Sequence, residues 1–218
     1  MTSGQVWRLL SCSRVRKDAM ARLDRAAVLA GAWAYIEAHG LDTLTMRKLA
    51  GSLGVNHGTL YWHVENKQAL IDALANDLLT GVADGSHSSA AGMERLAELA
   101  HRLRAALLSH RDGARILAGT FVRESHTLAF GEAAIGAALD AGLTKQDAVL
   151  LAFSVQYYVT GFAIEEQAAH QLERGGNAPA RSGIDESRFP LVRGGLEILR
   201  NTARDKQFDY GLQRLLTT

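Results

Sequence analysis

Residues 45–63 read Thr-Met-Arg-Lys-Leu-Ala-Gly-Ser-Leu-Gly-Val-Asn-His-Gly-Thr-Leu-Tyr-Trp-His. Leu49, Ala50 and Leu53 share one face of a short helix from Met46 to Leu53, with Thr45 as its cap. Gly54-Val55 makes a tight turn, since glycine takes positive φ at little cost. Asn56 caps a second short helix that runs to about Trp62. Ala50 is small enough for the two helices to approach, and Val55 and Leu60 turn back to the core. His57, Gly58, Thr59, Tyr61 and His63 are left facing outward. Short or flat hydrogen-bonding side chains of this kind suit a recognition helix entering a DNA major groove. Spacing alone leaves a second reading open, an ordinary helical hairpin with a polar face.

Helical periodicity continues on both sides of this segment. Val28, Leu29, Ala32, Tyr35 and Ile36 predict a helix after Asp24, ending at Gly40. Asn66 caps a helix from Lys67 to about Val82, and residues 84–92 have loop composition. Leu96, Leu99, Leu103, Ala106 and Leu107 mark the next helix, broken by Asp112-Gly113. A short helix at Ala114–Ala118 and an alanine-rich one over 126–141 follow. Thr144, with Asp147 as an acidic capping-box partner, opens a long helix to about Leu172. Residues 175–183 connect it to two last helices near 187–202 and 206–216. The fold expected is all-α, a three-helix helix-turn-helix domain followed by a larger helical bundle. Its divisions are a disordered arm at 1–20, a helix-turn-helix domain at 21–67 and a bundle at 68–218.

Composition narrows the possibilities. The 218 residues carry 24 Lys+Arg against 23 Asp+Glu, a net charge of +1 that looks indifferent to nucleic acid. The sum hides an asymmetry: residues 1–67 hold 9 basic and 5 acidic side chains, whereas 68–218 hold 15 and 18. Cys12, the single cysteine, permits no internal disulfide and no cysteine-based zinc site, which fits a cytoplasmic setting. No apolar run approaches the roughly 18–20 residues of a membrane span, so no membrane partner is expected. Residues 1–20 are basic and lack a clean period, and read either as an arm adding nonspecific phosphate attraction or as a segment upstream of a start at Met20.

The segment also resembles a known family. Leu44-Thr45, Arg47-Lys48-Leu49-Ala50, Leu53-Gly54-Val55, Thr59-Leu60-Tyr61-Trp62-His63-Val64 and Asn66-Lys67 are similar to the DNA-binding domain of the TetR family, most of all its tetracycline-repressor subgroup. Leu107-Leu108-Ser109-His110-Arg111-Asp112-Gly113-Ala114, Glu165-x-Gln167 and Phe208-x-x-Gly211-Leu212 resemble that subgroup's regulatory domain. The resemblance spans about residues 22–216. It implies a ligand-responsive repressor that binds double-stranded, palindromic operator DNA as a homodimer, with an activator or dual regulator as the alternative. Arg47 would read a base edge; His57, Gly58 and Thr59 would read bases; Tyr61, His63 and Lys67 would grip phosphate. The caps Thr45 and Asn56 complete the expected DNA-binding set. His57-Gly58 departs from the subgroup's usual Gln-Pro, which implies a different operator. His63 can act as a neutral donor or, protonated, as a phosphate counter-charge.

The resemblance also implies an effector pocket in the bundle, and here the departures are informative. Leu117 stands where the subgroup has a metal-chelating histidine. Phe121-Val122 replaces its Arg-Pro, and Tyr157 replaces a second ligand-side histidine. Glu165 keeps its acidic character, but one carboxylate without imidazole partners is a poor metal site. The positions that align with the pocket are Leu99, Leu103, Leu117, Thr120, Phe121, Tyr157 and Glu165. They imply a hydrophobic small-molecule effector, no metal and no cofactor; for Phe121 and Tyr157, plain core packing remains an equal reading. The apolar residues of 144–172 and 187–202 can serve an internal core or the family's four-helix dimer interface. An enzyme is not expected: no His-Glu-x-x-His, Gly-x-Ser-x-Gly or phosphate loop occurs. Ser109-His110-Arg111-Asp112 is triad-like only in writing, because triad geometry is defined in space. A helical interaction module without DNA binding is the remaining class.

Overall fold

The computed structural model describes residues 23–84, 90–118, 120, 124–175 and 185–217. The expectations for the 1–20 arm, for Phe121-Val122 and for most of the 175–183 connection fall outside them. Among the described residues the fold is all-α, as the periodicity predicts, and the chain divides into two compact units. The first ends at Leu74 and the second begins at Ala75.

In the first unit, α1 (Arg25–His39) is capped by Asp24, whose carboxylate accepts from the Ala27 amide at 2.7 Å. Gly40 ends it at φ +79°. A 3₁₀ turn, Leu41–Thr43, then intervenes; no periodicity marks so short an element. The helices α2 (Met46–Ser52) and α3 (His57–Tyr61) start at their expected caps: Thr45 accepts from Lys48 N at 3.2 Å, and Asn56 from Gly58 N at 2.9 Å. Gly54 turns the chain at φ +67°. Val28, Ala32, Ile36, Leu49 and Leu60 form a core with essentially no exposure. Gly31 lies in the middle of α1 against the Leu53 side chain, which would have to shift to make room for a Cβ there. The next helix, α4 (Lys67–Leu78), stops a turn short of the expected Val82 and continues as successive tight turns. The first compact unit takes in α4 as far as Leu74, and Leu70 and Leu74 are wholly buried.

The second unit comprises α5 (Gly92–Leu108), α6 (Gly113–Ala118), α7 (Ser125–Asp140), α8 (Lys145–Arg174), α9 (Pro190–Asn201) and α10 (Arg204–Leu216). Its core joins Leu96, Leu99, Leu103 and Leu107 of α5 with Phe130, Ala134 and Ala138 of α7, Ala148, Val155 and Val159 of α8, and Phe208 of α10. Thr144 caps α8 through the predicted exchange with Asp147: the hydroxyl accepts from Asp147 N at 3.2 Å and donates to its carboxylate at 2.7 Å.

Among the described residues four buried polar side chains fasten this unit. Arg104 of α5 makes a bidentate pair with Glu166 of α8, Nε to Oε2 at 3.0 Å and Nη2 to Oε1 at 2.8 Å, and reaches Asp205 of α10 at 2.8 Å. Gln167 donates to the carbonyls of Leu107 and His110 and accepts from Ala114 N, closing the corner between α5 and α6. Asp112 holds that corner at φ +60°. The triad-like run is therefore a structural turn: the Ser109 hydroxyl donates to Ala106 O, and Asp112 pairs with Arg115 at 3.1 Å.

By length and composition alone helix α8 matches a membrane span, with mean hydropathy 1.3 over an 18-residue window, a property that core helices of helical bundles share. It is apolar on two faces. Ala148, Ala152, Val155, Val159 and Ala163 point into the bundle, whereas Leu150, Phe153, Tyr157 and Leu172 are exposed.

Candidate nucleic-acid interface and effector cleft

The helix-turn-helix presents its reading surface because Leu49, Ala50, Leu60 and Val64 are drawn inward. Arg47 at the start of α2, His57 and Gly58 on α3, and Lys67 at the start of α4 are exposed; Thr59 and His63 are half-buried. Arg47 and Lys67 make no hydrogen bond or ion pair among the described residues, which leaves both cations available to an anionic partner. The His57 and Tyr61 rings stack edge-on, centroids 4.8 Å apart, so each limits the other's rotation. Thr45 and Asn56 use side-chain oxygens to cap their helices, which leaves the Thr45 hydroxyl proton and the Asn56 amide group as their outward chemistry. Sequence reasoning assigns Trp62 no part, yet it is 87% exposed. Its position between the inward Leu60 and Val64 is the signal that points to this.

In the second unit a cleft of about 720 Å³ opens between the end of α6, α7 and α8. Leu117 and Thr120 line one wall, Leu128, Glu132 and Ile135 of α7 a second, and Phe153, Gln156, Tyr157 and Thr160 of α8 the third. Tyr157 is 68% exposed, which excludes plain core packing within this chain. Leu99 and Leu103 do not line the cleft; both lie at 0% exposure, since α5 is covered by α7 and α8 and its stripe faces the core. Glu165 lines a different groove, of about 510 Å³, with Tyr158, Phe162 and Arg204, and meets the first cleft only through Tyr157 and Gly161. The α8 lining could have been read from the sequence: 153, 156, 157 and 160 follow helical spacing, one face around from the core stripe. The α7 lining could not, because that helix is alanine-rich and its faces differ little.

Next to the cleft, His126 at the start of α7 is held by the C-terminal part of α4 and the turn that follows it. Its amide donates to Asn76 Oδ1 at 2.9 Å, and its Nδ1 lies 3.1 Å from both Asn76 O and Thr80 Oγ1. Glu124, the residue at the N-cap position of α7, makes no side-chain cap bond, so Asn76 supplies one of the missing acceptors from another helix. Among the described residues, no three His, Cys, Asp or Glu side chains cluster in a way that would hold a metal.

Comparisons with known proteins find matches to both units. Residues 28–74 match the family described as bacterial regulatory proteins, tetR family, and residues 91–217 match the tetracyclin repressor-like C-terminal domain. The tetracycline repressor protein class E of Escherichia coli is 33% identical over 203 residues, covering 90% of each chain. Among solved structures, a possible TetR family transcriptional regulator from Streptomyces coelicolor A3(2) superposes with TM-score 0.81 at 38% identity, over 88% of this chain and 97% of that one. A single-residue variant of TetR from Acinetobacter baumannii AYE, in complex with minocycline, gives 0.67 at 34% identity over 89% and 95%. BioQ with its double-stranded DNA operator gives 0.63 at 37% identity over 71% and 94%. With a helix-turn-helix in its first unit and the repressor-like bundle in its second, the chain belongs to the TetR family of bacterial transcriptional regulators.

Proposed function

We propose that this chain is a ligand-responsive, cytoplasmic transcriptional repressor, not an enzyme, that binds a palindromic operator as a homodimer. The observation that carries the reading is the pairing of an outward helix-turn-helix face with an open, mostly apolar cleft in one chain. Arg47, His57, Gly58 and Thr59 read bases, with Thr45 and Asn56 at the helix starts, and Tyr61, His63 and Lys67 hold phosphate. Leu117, Thr120 and Tyr157 contact the effector. Leu117 in place of a chelating histidine favours a ligand bound without metal.

Two recognition helices must reach successive major grooves about 34–36 Å apart, which calls for two copies. Helix α9 supports this reading: none of its side chains is buried in the chain, and Leu191, Val192, Ile198 and Leu199 are each more than half exposed. Leu150 and Leu172 of α8 are exposed as well, and apolar side chains left open in this way suit burial against a second copy. Ile198→Glu with Leu199→Glu should convert a dimer to monomers in sedimentation velocity; a monomeric parent protein would refute this part.

Release follows by linkage: an effector that favours one setting of α4 weakens operator binding by the same coupling free energy. The bonds of His126 to Asn76 and Thr80 support α4 as the lever, because residues 127 and 128 line the cleft. The direct experiment selects genomic fragments bound by the full chain, then screens compounds for their release. A chain that retained no duplex DNA at low salt would sink the proposal.

A further inference from the structure

The cleft's lining contains one feature that a purely apolar ligand leaves unused. Glu132 sits on α7 between Leu128 and Ile135, and among the described residues lining the cleft it is the one that carries a charge. It makes no hydrogen bond or ion pair among the described residues. Across the cleft, Phe153 and Tyr157 of α8 present two aromatic rings with centroids 6.0 Å apart, tilted by 50°. Both rings are exposed, at 38% and 68%. The remaining polar lining, Thr120, Thr127, Gln156 and Thr160, is neutral. Aromatic faces attract cations through the ring quadrupole, and an unpaired carboxylate adds direct Coulomb attraction. The same carboxylate repels an anionic ligand. Leu117, Leu128 and Ile135 supply apolar wall for a hydrophobic body, within a volume ordinary for drug-sized ligands.

We infer that the effector is a cationic amphiphile, a hydrophobic amine or quaternary ammonium whose charge is received by Glu132 and the Phe153 and Tyr157 rings. The inference rests on the reading of this cleft as the effector site and adds the ligand's charge. It also makes Glu132 the residue that sets specificity, since the walls around it accept apolar bodies of any charge.

The test uses the full chain and three probes of nearly equal shape: 4-phenylbutyl-trimethylammonium, the neutral analogue with a tert-butyl group in place of the ammonium, and 5-phenylpentanoate. Calorimetry measures each affinity, and gel shift measures release of the selected operator. The ammonium should bind about tenfold more tightly than its carbon isostere, with the carboxylate weakest. In Glu132→Gln most of the ammonium's advantage should disappear, while the isostere's affinity changes little. Phe153→Leu should reduce the advantage while keeping the cleft apolar. Equal binding of ammonium and isostere, or preference for the carboxylate, would overturn the inference and leave the cleft reading standing. Failure of all three probes to bind the chain or release the operator would overturn both.

Discussion

Replacing Glu166 by alanine should be among the most damaging single changes in the second unit. The Arg104 and Glu166 side chains are 11% and 6% exposed, so neither charge has much access to water. Glu166 takes two of the three side-chain hydrogen bonds of the guanidinium; the third goes to Asp205, which is 83% exposed. The guanidinium also lies over the Phe208 ring, 4.8 Å from its centroid. Hydrogen bonds to Glu166 hold the arginine pKa above its ordinary value, against the opposing effect of burial, so Arg104 cannot escape by losing its proton. Without Glu166 the charge is left buried beside a solvent-screened carboxylate. Breaking one side of such a pair costs about 3–5 kcal/mol. In a chain of this size each kcal/mol lowers Tm by roughly 2–4 °C, which gives a fall of about 6–20 °C. Thermal and urea unfolding followed by circular dichroism at matched protein concentration measure the loss. Arg104→Met combined with Glu166→Leu should recover most of it, since the cost lies in the unpaired charge rather than in lost attraction. A loss below about 1 kcal/mol in Glu166→Ala, or a double variant no more stable than that single one, would refute the reasoning.

The other predictions concern DNA, packing and pH. Tyr61→Ala should weaken binding to every duplex and reduce the salt slope by about one unit, whereas His57→Ala should shift sequence preference; identical behaviour of the two in a binding-site selection would contradict their assigned roles. Gly31→Ala would ordinarily stabilise a helix by about 1 kcal/mol, but its Cβ meets the Leu53 side chain, which must shift, so the expected result by urea denaturation is loss of that gain, restored by adding Leu53→Ala. Burial raises the Tyr158 phenol above its usual pKa, and its hydroxyl donates to Phe208 O at 2.9 Å. A raised acid contributes stability that is complete below the unfolded tyrosine pKa of about 10 and is lost as pH rises through the folded value. Denaturation midpoints should therefore fall above about pH 10, and Tyr158→Phe should flatten that fall.

The helices, their caps and the family they point to are legible in the chain because the chemistry behind them is local. Caps at Asp24, Thr45, Asn56 and Thr144, and the turn at Gly54, act within a few residues, so the residues that make them lie where they operate. The same locality exposes the helix-turn-helix face: the burial of Leu60 and Val64 fixes which way Tyr61 and Trp62 point. Other features depend on partners far apart in the chain and take shape only when the bundle packs. Arg104 finds Glu166 62 residues away and Asp205 101 residues away, and no helical period encodes that meeting. Leu99 and Leu103 fall in the core and Glu165 in a separate groove because helix rotation in the bundle, set by packing against two neighbours, selects the face that looks into the cleft. Glu132 stands out for the same reason: it is one glutamate on an alanine-rich helix until α6 and α8 place a cleft before it.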